Sequence, residues 1–401
     1  MPPAAPMPPM APPPPPIGLL ADGMDTRRAM AIADSVYAQL TPREQVGQLF
    51  ISMAYGRFRT HENGTDAALE RLVETGEIGG IIFMRGDVYA QAALTNRMQE
   101  RARVPLWISQ DMEFGAAMRV DGTTRFTPAM GIGSTGDPVN AYIKGRVTGL
   151  EARALGVHQV YAPVLDVNNN PDNPVINTRS YSADPDEVAD YGIQFIRGIQ
   201  SAGVLATAKH FPGHGDTDTD SHLDLPVVRH DYARLAAVEL TPFRRSIESG
   251  DLRSVMTAHI AFPEISRNPD RPVTLDPDVL RRILTDSLGF DGVVVTDALE
   301  MRAISTRFSP GRAAVEAFKA GSDMLLASPD VPTAIDEMLM AVQSGEIDSA
   351  ELRDRVLRVL RLKAEHGLFD RTPIDLDALS GRISTLEYTT QADRIARESV
   401  T

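Results

Sequence analysis

The sequence predicts an α/β protein, a (β/α)8 TIM-type barrel with extra helices at its C-terminal end. Short β-branched apolar runs alternate eight times with longer amphipathic stretches, the pattern of parallel strands joined by crossover helices. Asp137-Pro138, Asp184-Pro185 and Asp276-Pro277 each put a capping carboxylate ahead of a first-turn proline and so mark helix starts. Charged and imidazole residues gather at the ends of the predicted strands, where such a barrel keeps its chemistry. A doubly wound open sheet is the structural rival, and periodicity alone does not separate the two.

Residues 1–20 read as a Pro-rich tether. Ten of the 29 prolines fall in the first 16 positions, which favours extended polyproline II and cannot pack a core. The stretch lacks the cationic start and apolar run of an intact signal peptide. As a spacer it points toward an extracytoplasmic (periplasmic or secreted) protein. The barrel domain is expected over 28–368. Its strands are expected at 47–53, 79–84, 106–110, 159–166, 204–208, 253–258, 292–296 and 323–327. The helices are expected near 66–76, 88–102, 138–154, 185–201, 230–249, 276–288, 310–320 and 331–344. A further helix over 348–366 keeps Leu352, Val356, Val359 and Leu360 at helical spacing and is expected to pack across the barrel. Residues 369–401 read as a connection and a last helix from Leu386, leading toward a further domain.

Composition narrows the function. The chain has 401 residues, is 43% hydrophobic and carries a formal charge of −14, so nucleic acid is not an expected partner. It has no cysteine, which removes disulfides, thiolate metal sites and cysteine nucleophiles. No apolar run approaches the roughly 18 residues of a membrane span.

The predicted strand ends hold the candidate residues. Strand three runs into Asp111-Met-Glu113, strand four into Asp166, strand five into Lys209-His210, strand six into His259 and strand seven into Thr296-Asp297. The densest stretch, 209–226, has three of the eight histidines and four aspartates, and is too polar and Gly-rich for a core element. A calcium loop on Asp216, Asp218 and Asp220 lacks glycine at its sixth position and glutamate at its twelfth. A divalent-metal site from His210, His214 and His222 fits no compact ligand spacing. An acid–base dyad fits better: residues two apart in an extended segment share a side, so Asp220 could hold one nitrogen of His222 and free the other for proton exchange. Asp297 ends a three-valine strand, placed to attack or stabilise a cationic centre; a helix N-cap is the alternative. Gly131-Ile-Gly133-Ser-Thr-Gly136 spells a dinucleotide fingerprint but follows no buried strand, so it reads as a turn.

The stretch Lys209-His-Phe-Pro-Gly-His-Gly-Asp-Thr217 with Asp220-Ser-His222 resembles the β-N-acetylglucosaminidase branch of glycoside hydrolase family 3. Thr296-Asp-Ala-Leu-Glu-Met301 is similar to that branch's nucleophile segment, and Met256-Thr-Ala-His259, Leu288-Gly-Phe-Asp-Gly292 and Gly321-Ser-Asp-Met-Leu-Leu326 are supporting matches. The resemblance runs from about 40 to 370. It implies a retaining exo-β-N-acetylhexosaminidase acting on peptidoglycan or chitin fragments, with Asp297 as nucleophile, His222 as general acid/base and Asp220 as its partner. It further implies sugar contacts by Asp111, Arg119, Arg179, Lys209 and His210, a carbohydrate as the partner, a monomer, and no metal or other cofactor. The family's usual Asp-Gln-Glu-Gly-Gly-Arg reads here Asp111-Met-Glu-Phe-Gly-Ala116, which weakens the transfer for Glu113. β-Glucosidase-type hydrolysis, phosphorolysis and a non-catalytic sugar-binding barrel are the alternatives.

Overall fold

A computed structural model describes residues 26–57, 64–221 and 223–400. The Pro-rich tether predicted over 1–20 and the predicted acid/base His222 lie outside the described residues. The strands are β1 (Phe50–Gly56), β2 (Gly80–Asp87), β3 (Trp107–Gln110), β4 (Gln159–Val160), β5 (Leu205–Ala206), β6 (Ala208–Phe211), β7 (Ser254–Thr257), β8 (Val293–Val295) and β9 (Leu325–Leu326). They form two sheets with every pairing parallel: β9-β1-β2-β3-β4-β5, to which the two-residue strand Val120–Asp121 adds beside β2, and β6-β7-β8. At one edge the sheets run on through Thr207, and at the other Val295 pairs in parallel with Met324. Thr296 N–H donates to the Met324 carbonyl at 3.0 Å there.

Fourth-strand pairing is shorter than the expected 159–166. Pro163 has no N–H to give a ladder, and the chain continues beside β6 through two bonds, Lys209 N–H to the Pro163 carbonyl (3.0 Å) and Leu165 N–H to the Lys209 carbonyl (2.6 Å). The expected first strand begins three residues late. A capping box at Thr41 and Glu44 starts a helix over Pro42–Gly47, which takes Gly47, and its exit turn takes Gln48 and Leu49. The expected 230–249 helix divides into Tyr232–Ala237 and Leu240–Glu248. Of the capping aspartates, Asp184 and Asp276 each accept a first-turn N–H, and Asp137 accepts from Val139 although the helix begins at Val139.

Helices cover the sheets, and their buried aliphatic faces join the strands in one core. Ser349–Glu365 packs on the N-terminal helix Thr26–Tyr37 and lays Val356, Val359 and Leu360 in that core. The last helix, Leu386–Glu398, buries Ile395 in the same core and pairs Arg394 and Glu398 with Asn140.

At the foot of the sheets Gln159 bonds Trp107, Thr207 and Ser254, a buried polar web. Lys363 is fully buried nearby, where its ammonium meets Gln48 Oε1 at 2.8 Å, and burial lowers its pKa to about 7. An unfolded lysine keeps its proton to about pH 10.4. Between pH 7 and 10 the unfolded chain therefore binds more protons, and stability should rise with pH. Buried Lys144, also lowered to about 7, acts in the same direction. Lys363→Met should thus flatten, without abolishing, the increase in urea midpoint between pH 7 and pH 9. An unchanged slope would exclude Lys363 as its source.

Candidate active site

Strand ends from both sheets bring six of the predicted residues to one cleft: Asp111, Arg119, Arg179, Lys209, His210 and Asp297. Asp111 and Glu113 leave β3 and face Lys209 of β6. The Lys209 ammonium donates to Asp111 Oδ1 (2.9 Å) and reaches Glu113 Oε1 (2.8 Å). Arg119, eight residues after Asp111, closes on Asp111 Oδ2 at 2.7 Å. Arg179 forks onto Glu113 with Nε at 2.9 Å and Nη2 at 2.8 Å. Two carboxylates thus hold three cations, so the cluster carries surplus positive charge facing the cleft. Burial alone would raise both carboxyl pKa values. Lys209 and Arg119 overcome it at Asp111, and Lys209 and Arg179 hold Glu113 well below the usual carboxylate range. Burial alone would lower the Lys209 pKa; Asp111 and Glu113 raise it.

Asp297 follows β8 and is half-buried at the cleft wall. It does not cap a helix: the next one, Arg302–Ser305, has Met301 at its cap. Its Oδ1 accepts the neighbouring Ala298 N–H at 2.7 Å, which leaves Oδ2 for the cleft. Burial opposes its charge, but the His259 and His210 imidazoles, that N–H and Lys209 hold its pKa below the ordinary value. His259 fixes this segment: it bonds Thr274 Oγ1 (2.7 Å) and the Ala298 carbonyl (3.0 Å), so Nε2 carries the proton.

His210 is set by Asp166, which is fully buried. Its Nδ1 lies 2.7 Å from Asp166 Oδ2, and its Nε2 faces Arg179 Nη2 at 3.4 Å. Arginine only donates, so Nε2 presents a lone pair and Nδ1–H points to Asp166. Asp166 Oδ1 also takes the backbone N–H of His210 (3.2 Å) and His214 (2.6 Å), tying down the root of the 209–226 loop. Gly215 passes so close to β4's continuation that a Cβ would lie 1.7 Å from the Val167 carbonyl oxygen. Gly215→Ala should therefore displace the loop. The expected result is a loss of turnover of about tenfold or more with little change in melting temperature, since a loop of few buried apolar groups carries little global stability.

Asp220 is half-buried on this loop and does not line the cleft; its predicted partner, His222, lies outside the described residues. The histidine metal reading fails at its first ligand, because the Arg179 guanidinium stands where a cation would meet His210 Nε2. Asp216, His230 and Glu239 have donor atoms within 4.8 Å of one another. Yet Asp216 and His230 bond each other at 2.5 Å, and Glu239 is held by Arg234 and Asn169. Each of the three donors therefore already has a hydrogen-bond partner.

Sequence reasoning passed over three contributors. Asp166 ended a predicted strand but carried no assigned task. The sequence understates Glu113, because its neighbours depart from the family pattern. The apolar wall of Met53, Met84, Met118, Met256 and Met301 had no signal, because those residues are scattered over some 250 positions. The cleft holds about 300 Å³, at the small end of ligand pockets.

Residues 41–362 match the glycosyl hydrolase family 3 N terminal domain. The chain belongs to glycosyl hydrolase family 3. It is 33% identical over 377 residues to a beta-hexosaminidase A of Pseudoalteromonas piscicida, covering 84% of this chain and 63% of that relative's length. Among solved structures it is similar to a family 3 β-N-acetylglucosaminidase from Paenibacillus sp. str. FPU-7, with a TM-score of 0.82 and 41% identity over 90% of this chain and 69% of that one. It is also similar to a β-glucoside phosphorylase bound to 2FGlc, with a TM-score of 0.86 and 25% identity over 93% and 67%. The family 3 chain thus spans less than two thirds of the Pseudoalteromonas relative.

Proposed function

We propose that this family 3 chain is a retaining exo-β-N-acetylhexosaminidase that removes terminal β-linked N-acetylglucosamine from peptidoglycan or chitin fragments. The observation that carries the reading is Asp297, an ionised carboxylate that lines the cleft shared by Asp111, Lys209, Arg179 and His210, its Oδ2 unbonded among the described residues. The likeness to relatives named beta-hexosaminidase and β-N-acetylglucosaminidase supports the choice of sugar. In the first step Asp297 Oδ2 attacks the anomeric carbon, the bond to the leaving oxygen breaks, and His222 gives that oxygen its proton. In the second, water attacks the same carbon, His222 takes the water proton, and the Asp297 carboxylate leaves. Asp220 orients His222. Lys209, Asp111, Arg119, Arg179 and His210 bind sugar hydroxyls. The cleft's small volume suits one terminal sugar. The two sheets are arcs of one (β/α)8 barrel, a reading supported by the Val295–Met324 pairing. The enzyme works outside the cytoplasm, a reading that rests on the Pro-rich stretch and is tested by fractionating producing cells.

Nitrophenol release from the β-N-acetylglucosaminide and the β-glucoside, measured side by side, tests the substrate. Preference for the N-acetyl sugar is expected; a preference for the glucoside would overturn that choice. The likeness to a β-glucoside phosphorylase favours a second reading, phosphorolysis, which requires sugar 1-phosphate to form only when inorganic phosphate is added.

A further inference from the structure

The 212–226 loop has almost no regular backbone pairing to hold it, so its side chains must do so. Among the described residues of 218–225, Ser221 alone is buried, at 2% exposure; Asp218, Leu223 and Asp224 are exposed. Ser221 reaches the cleft and lies in a turn in which the Asp220 carbonyl accepts the N–H groups of Leu223 (2.9 Å) and Asp224 (3.1 Å). Its hydroxyl meets His214 Nε2 at 3.1 Å.

His214 is the most firmly held residue of the loop. Its backbone N–H goes to Asp166 (2.6 Å), its carbonyl accepts from Asn173 Nδ2 (2.8 Å), and its Nδ1 meets Thr217 Oγ1 at 2.8 Å. Asn173 is itself buried and bonds Gly215 and Thr217 as well. The bond to Ser221 therefore joins a rigid post, built on Asp166 and Asn173, to the turn whose next residue is position 222.

We propose that His214 is a positioning residue: through Ser221 it holds the described residues of this turn, Asp220, Ser221, Leu223 and Asp224, at the cleft, and so governs the general acid/base step assigned above to the residue that follows Ser221 in the chain. This rests on the function proposed above. The imidazole stays neutral for this task, because burial, then the neighbouring His210, lower its pKa to about 4. A neutral ring has one donor and one acceptor nitrogen, which matches its two hydroxyl partners.

The decisive comparison is between leaving groups. Chitobiose needs a proton on its departing oxygen, whereas 2,4-dinitrophenolate leaves without one. General acids contribute about 10²–10⁴-fold, so a misplaced acid should cost part of that range on chitobiose alone. In the full chain, His214→Phe should lower kcat/KM for chitobiose by about 30-fold or more. The value for 2,4-dinitrophenyl N-acetyl-β-glucosaminide should fall by no more than about threefold. Ser221→Ala should show the same split, and the double variant should be no worse than either single one. His214→Gln, whose amide nitrogen can replace Nε2, should recover most of the chitobiose activity. Equal losses on both substrates, or no loss on either, would overturn the positioning role alone. A wild type inactive on both would overturn the proposed function and this inference with it.

Discussion

Asp297→Ala should lower kcat/KM for the nitrophenyl N-acetylglucosaminide by about 10⁴-fold or more, the scale on which loss of a covalent nucleophile is felt. The fold should survive. The Asp297 side chain makes one short hydrogen bond, to its neighbour's N–H, and its charge is held against a burial penalty, so removal relieves as much as it loses. Circular dichroism and melting temperature should therefore match wild type. Azide supplies the second half of the test. A small anion entering the space left by the carboxylate should restore turnover and give the α-glycosyl azide, because it attacks the β-glycoside once and from the opposite side. The wild type, through two displacements, keeps the β configuration. Retention of more than about 1% of activity in the variant, or a β-azide product, would rule out Asp297 as nucleophile.

Glu113→Ala should be the most destabilising single change at the cleft. Glu113 is 8% exposed and takes three bonds from two cations, Arg179 and Lys209. Removing it leaves a partly exposed guanidinium without its forked partner and a buried ammonium with Asp111 alone. Breaking one member of a buried ion cluster costs about 3–5 kcal/mol. The urea midpoint should shift accordingly, by far more than for Glu248→Ala, which deletes an exposed one-turn pair with Arg244. Glu113→Gln keeps the shape and the acceptor oxygen and should fall between them. If Glu113→Ala unfolds at the wild-type midpoint, the two cations have found water, and the cluster is not the closed unit its distances describe.

Much of the frame was readable from local pattern. The strands near 80, 107, 254 and 293 and the helices at Pro185–Ser201, Pro310–Ala320 and Val331–Gln343 fall close to their expected ranges, because β-branched runs and proline-preceded caps act over a few residues. The failures are also local in origin. The fourth strand's pairing stops early, at a proline, and the helix that the Thr41–Glu44 box opens runs to Gly47, the first residue of the expected strand 47–53.

For the site, sequence alone singled out Asp111, Lys209, His210 and Asp297, because a charged or imidazole group at a strand end is costly unless it meets solvent or a substrate. It could not say which charges neutralise one another. Arg179 and Glu113 are 66 positions apart, and Lys209 and Asp111 are 98 apart; the first pair meets only when the loop after β4 folds over the end of β3, the second only when β3 and β6 bring their carboxyl ends to the same cleft. The same holds for Asp166, whose three bonds to His210 and His214 turn an ordinary strand-end acid into the root of the loop. Periodicity and capping depend on neighbours along the chain and so are written in the sequence. Ion pairing and desolvation depend on neighbours in space, and the tertiary structure alone decided those.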